Sequence, residues 1–151
     1  RRYPRLAGLF DRIAVSDLAW RRGLPWRVAL AARWPGIRRA EHLVVAGPEA
    51  DAQLLAGWLR SRLRRPIRLT RHKAARLQAV TIDGERVAIA EGPRPTPSEL
   101  LSAELDTLVR DPVYEAAVLA VSRAGRGARR GGARSTTPRS ARRTAPRPQR
   151  R

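Results

Sequence analysis

Two tryptophans and three arginines fall within twelve residues, in the stretch SDLAWRRGLPWR from Ser16 to Arg27. Trp20 and Trp26 bring large π faces, and Arg21, Arg22 and Arg27 bring fixed, planar positive charge. Residues of these types, set this close, form cation–π pairs, stack on nucleobases or anchor a protein interface. The bland reading is a hydrophobic core, and the spacing separates the two tryptophans. Trp26, Ala29, Leu30 and Trp34 recur at helical intervals and make one apolar stripe, so Trp26, Leu30 and Trp34 are expected inside. Trp20 lies outside that stripe, next to Arg21 and Arg22, and both core and interface remain open for it. With Arg22, Arg27 and the neighbouring acid Asp17, it forms the partner-interface candidate of the chain. Ser16 or Asp17 is expected to cap a turn, and Asp17 to hold one of these arginines.

Other chemistry is sparse. The chain has no cysteine, so neither a disulfide nor a thiolate nucleophile is built from these residues. His42 and His72 belong to no metal-binding spacing, and no metal or other cofactor is expected. Neither histidine has a nucleophile beside it in sequence; His72 reads as a solvated loop residue between strands, and His42, flanking a strand, reads the same way. Asp17 and Asp83 are better explained as cap and turn residues than as halves of a catalytic carboxylate pair. The glycine-rich AGRGARRGG at 124–132 follows no strand and lacks the context of a phosphate loop. No catalytic constellation is legible in these residues.

The elements that must position the motif are legible from periodicity. Residues 3–10 read as a short helix or connector, and Pro25 opens a helix that Trp34-Pro35-Gly36 stops. His42–Pro48 is a buried strand closed by Gly-Pro. Leu54, Leu55, Trp58, Leu59 and Leu63 line one face of a helix that ends before Pro66, with Trp58 in the core. Ile67 and Leu69 alternate with Arg68 and Thr70 as in a half-buried strand. Asp83-Gly84 is the tip of a type I′ hairpin. Thr96, Pro97 and Glu99 spell a capping box, with Leu101, Leu105 and Leu108 as the stripe behind it. Asp111 and Pro112 open a last helix whose inward face is Tyr114, Ala117, Val118 and Val121. The expected fold is α/β (α+β): a single mixed sheet of about four strands with helices packed on it.

Charge divides the chain. The formal net charge is +19, and residues 122–151 hold eleven arginines and no acid. That segment is otherwise Gly, Ala, Ser, Thr, Pro and a single Gln, and it is expected to be a disordered basic tail. Residues 1–121 are the folding unit and hold all 13 acids. An arginine tail contacts phosphate backbones without sequence preference, which makes a nucleic-acid-binding protein the alternative reading. The folded part carries no helix-turn-helix, RRM or zinc-finger signature. No apolar run approaches the roughly 18–20 residues of a membrane span. No signal peptide opens the chain, and a cytoplasmic setting is expected. The chain holds no methionine and is expected to be a piece of a longer reading frame.

The motif also resembles a known signature. Asp17, Leu18, Ala19, Trp20, Arg22, Pro25, Trp26 and Arg27 match the D-L-A-W-x-R-x-T-P-W-R pattern of the glucose-6-phosphate dehydrogenase assembly protein (OpcA) family. LLAGWLRSRL at 54–63, ELLSAEL at 99–105 and DPVYEAAV at 111–118 follow in the family's order. The resemblance spans residues 3–121, corresponds to the family's C-terminal domain and leaves out the basic tail. It departs at Leu24, where the family usually has a capping Thr. It implies a non-catalytic partner that assists the assembly or activity of glucose-6-phosphate dehydrogenase, and it carries over no catalytic residue.

Overall fold

The computed structural model describes residues 3–15, 17–90, 92, 95–106 and 109–132, with side chains described as far as Gly125. The chain opens with three short helices, α1 (Tyr3–Leu6), α2 (Leu18–Arg22) and α3 (Leu24–Ala31). A single 3-10 turn at Gly36–Arg39 leads into β1 (His42–Gly47). The helix α4 (Glu49–Leu63) then crosses to β2 (Arg68–Lys73). The hairpin β3 (Ala79–Ile82) and β4 (Glu85–Arg86) follows, and α5 (Pro97–Asp106) and α6 (Pro112–Gly132) close the described chain.

The four strands form one mixed sheet in the order β2-β1-β3-β4. β1 and β2 are parallel, as a helical crossover requires, and β1–β3 and β3–β4 are antiparallel. Register places Leu43 opposite Ile82 and Val45 opposite Val80, and all four side chains are buried on one face. Asp83 and Gly84 have φ of 48° and 90°, the two positive values that a type I′ turn needs. The Asp83 carboxylate also accepts the backbone N–H groups of Glu41 (3.1 Å) and His42 (2.8 Å), fastening the hairpin tip to the start of β1.

α4 packs on the sheet with one side and on α6 with the other. Burial therefore runs almost round the helix, from Asp51 and Ala52 through Leu54, Leu55, Ala56, Gly57, Trp58 and Leu59. The apolar face expected from Leu54 to Leu63 is only the half that is easy to see; Gly57 serves the contact with α6. A Cβ on Gly57 would stand 2.4 Å from the Ala117 carbonyl oxygen and 2.6 Å from Val121 Cγ2, so two helix backbones meet here with no room for a side chain.

Four expectations change. Trp34 is 60% exposed instead of buried. α3 ends at Ala31, so the turn that follows carries Trp34 off the stripe that Trp26 and Leu30 define. In α5 the buried residue is Leu100, while Leu101 and Leu105 face solvent and Leu108 lies outside the described residues. α5 rests on α2, which turns the helix one position from its leucine periodicity. β2 extends to Lys73, placing His72 in the ladder and not in a loop. Finally, α6 continues through Gly132 and buries Ser122, whose hydroxyl donates to the Val118 carbonyl at 2.9 Å. The boundary at 121–122 set by composition thus cuts a helix, and residues 133–151 of the expected tail lie outside the described residues.

Candidate functional site

The motif from Asp17 to Arg27 folds as two helices separated by one glycine. Asp17 is extended (φ −146°), and its Oδ1 accepts the Ala19 backbone N–H at 2.7 Å, which caps α2. Its Oδ2 accepts the Tyr3 hydroxyl at 3.3 Å, tying α1 to the same carboxylate. Burial and the neighbouring Asp17 charge raise the Tyr3 pKa, so the hydroxyl stays a donor. Gly23 ends α2 and precedes α3, where no side chain caps the helix; Leu24 offers no oxygen for it.

Trp20 is a core residue, 7% exposed. Its Nε1–H donates to Asp111 Oδ2 at 2.8 Å. Asp111 Oδ1 meanwhile accepts the backbone N–H groups of Val113 (2.8 Å) and Tyr114 (3.0 Å). One carboxylate thus caps α6 and holds the indole, joining two motifs that lie 91 positions apart. The Trp20 ring lies 5.5 Å from Tyr114, which meets Phe10 edge-on at 5.9 Å. Arg27 also covers the Trp20 ring, its guanidinium carbon 3.2 Å from the ring centroid. Only 8% of Arg27 is exposed, and a cation–π contact this desolvated contributes about 2 kcal/mol or more. Burial lowers its pKa to about 10; Asp111 acts in the opposite direction, and Arg21 adds a smaller lowering.

The three arginines of the motif diverge. Arg21 pairs with Glu104 of α5. Arg22 grips Asp51, in the first turn of α4, through Nε (3.1 Å) and Nη2 (3.0 Å). The Asp51 side chain is fully buried and that of Arg22 is 39% exposed. Arg21 and Arg22 therefore fix different elements against α2. Asp17, expected to hold one of them, holds Tyr3 instead, because Asp51 is the acid in reach of Arg22. Asp51 gave no signal in the sequence beyond an acid in a first helical turn.

These positions correct the partner-facing assignment of Trp20 and Arg27, since both are buried by their own chain. Trp26, Leu30, Trp58 and Tyr114 are buried as expected. His42 Nε2 lies 2.8 Å from Thr70 Oγ1 across the β1–β2 pair, a structural contact. Among the described residues no cluster of acids and histidines is arranged to hold a metal ion. Beside Arg22, the motif presents Leu24 to solvent, and Val28 follows it one turn on along α3. Leu101 and Leu105 repeat that spacing on α5, with Val109 just beyond. Leu24 and Val109 also flank a cavity of about 380 Å³ that reaches Trp20, Arg27 and Tyr114.

Comparison with known proteins returns one family, described as the C-terminal domain of a glucose-6-phosphate dehydrogenase subunit, whose model matches residues 13–91. The match takes in the whole Trp20–Trp26 motif and the sheet, and ends before α5. No curated protein and no solved structure matches the chain.

Proposed function

The chain belongs to the family defined by that C-terminal domain of a glucose-6-phosphate dehydrogenase subunit, and from that premise we propose that it is a non-catalytic accessory protein that binds glucose-6-phosphate dehydrogenase and assists its assembly or activation in the cytoplasm. The observation that carries the reading is the family match across residues 13–91, which takes in the motif that organises the helical layer. The contact surface follows from exposure. Val28 is 60% exposed and Leu105 65%, on helices whose polar and apolar inner contacts are already made. Two such leucine- and valine-bearing faces suit a partner that covers them, because large apolar side chains on a monomer's surface cluster at interaction sites.

The test is a binding assay with purified dehydrogenase. Val28→Asp and Leu105→Asp are exposed substitutions and should leave the melting temperature within about 2 °C. Each should weaken the complex at least tenfold. Unchanged affinity in both variants would move the interface elsewhere; no measurable complex with the unsubstituted chain would end the proposal.

A further inference from the structure

Trp34 takes no part in the site described above. It is 60% exposed, whereas the other three tryptophans are buried. It stands in the wall of a surface cavity of about 290 Å³ with Arg38, Arg62, Leu63 and Arg64. Two segments make that wall, the turn after α3 and the end of α4. Arg65 joins them: its Nη1 donates to the Arg38 carbonyl oxygen at 3.2 Å, and its Nη2 meets Glu41 Oε1 at 3.5 Å. Arg64 sits just past α4 at φ 52° and ψ 34°, a left-handed position that glycine usually fills.

The lining is three arginines, one tryptophan and one leucine, with no acid among them. All three arginines are exposed, and the Arg38 guanidinium carbon lies 5.3 Å from the Trp34 ring centroid, a cation–π distance. Among the described residues, Arg38, Arg62 and Arg64 have no carboxylate partner. Three such cations around one opening raise the local potential and draw anions. A guanidinium grips phosphate through parallel N–H groups, and an exposed indole stacks on a flat ring. A nucleotide carries both groups on one unit. The volume falls just below the range of sites that enclose a small molecule, which suits one unit of a longer strand. Arg39, next in the turn, and Arg68, at the start of β2, are exposed as well, so the charge is not confined to the cavity. In a duplex the neighbouring bases cover each base face, so a base free to stack belongs to a single strand.

We propose that this cavity binds single-stranded nucleic acid, with one base stacked on Trp34 and the flanking phosphates held by Arg38, Arg62 and Arg64. The arginines of residues 133–151 contact any phosphate backbone, with or without bases, whereas the Trp34 site requires a base. The inference does not depend on the dehydrogenase and is tested without it.

The Trp34 indole N–H signal, assigned by its loss in Trp34→Phe, is followed by NMR on the intact chain at about 150 mM salt. The probes are a thymidine hexamer, an abasic hexamer with the same phosphates, thymidine monophosphate and a hexaglutamate peptide. The thymidine hexamer should shift the signal saturably, roughly fivefold or more tightly than each of the other three. Arg64→Gly removes one guanidinium from a backbone position that suits glycine. It should keep the parent's melting temperature and weaken the thymidine hexamer about threefold or more. Trp34→Ala changes an exposed residue, so it should also fold normally. It should erase the preference for the thymidine over the abasic hexamer, read by fluorescence anisotropy of labelled strands. The proposal is overturned if the two hexamers act alike on the Trp34 signal or if Arg64→Gly leaves the titration unchanged. It is also overturned if thymidine monophosphate binds as tightly, which would mark a free-nucleotide site, or if hexaglutamate does, which would mark a site for an acidic protein segment.

Discussion

At the scale of single residues, the Asp17–Arg27 motif organises the interior of the molecule. Trp20 is held by a hydrogen bond to Asp111, a ring contact to Tyr114 and the Arg27 cation, and no flat surface is left for a partner. Trp20→Ala should therefore cost about 3–5 kcal/mol, comparable to Trp26→Ala, which chemical denaturation of the two variants measures side by side. A Trp20→Ala variant as stable as the parent would show that the ring is not packed as described. Arg22→Ala leaves the fully buried Asp51 carboxylate without its cation. Breaking a buried pair costs about 3–5 kcal/mol, and the 39% exposure of the Arg22 side chain brings the expected loss below that range. Arg22→Ala should still lower the melting temperature clearly, and Arg22→Ala with Asp51→Asn should recover part of it. The sequence made Trp26 legible because helical periodicity repeats locally. It left Trp20 open because what buries it is Asp111 and Tyr114, and no local pattern joins residues that far apart.

Elements were legible where local chemistry decides them. Asp83-Gly84 adopts the hairpin its side chains favour, and the Thr96 capping box closes as spelled, with the Thr96 N–H donating to Glu99 Oε2 at 2.6 Å and the Glu99 N–H to Thr96 Oγ1 at 3.3 Å. The bonds that the Glu99 carboxylate accepts lower its pKa, the Thr96 backbone N–H most and the Thr96 hydroxyl next. A carboxylate with a lowered folded pKa stabilises above its unfolded value, about 4.3, and the contribution is lost as pH falls through the folded value. The first turn of α5 should therefore fray on acidification below about pH 4, seen as faster amide exchange at Glu99, and a Glu99→Gln variant should lose that pH dependence. Tertiary packing set the rest. α5 is turned so that Leu100 is buried and Leu101 exposed, set by its contact with α2, which a single helix cannot report. Gly57 shows the same limit: a mid-helix glycine looks like a weak point, yet it lets α4 and α6 touch backbone to backbone. Gly57→Ala should overpack that contact and destabilise by about 1–3 kcal/mol, although alanine is the better helix former. A stabilised Gly57→Ala variant would contradict the close approach.

At the scale of the whole molecule, the mixed sheet was legible because its strands carry their own boundaries, whereas the end of the fold was not. Composition placed that end at residue 121, but α6 runs on to Gly132 and buries Ser122 on the way. Deleting 133–151 should leave the melting temperature within about 2 °C, and deleting 122–151 should lower it further by removing part of a packed helix. The same 133–151 deletion should remove most retention on RNA at low salt, with the residual binding lost steeply as salt rises. Retention unchanged by that deletion would assign the nucleic-acid contact to the folded part. The central claim is that the chain acts by joining an enzyme, and sedimentation velocity of glucose-6-phosphate dehydrogenase with and without the chain tests it most directly. The account predicts a faster-sedimenting species that contains both proteins, and its loss when Val28→Asp or Leu105→Asp replaces the parent chain. Two separate boundaries at micromolar concentrations of the folded, unsubstituted chain would contradict it.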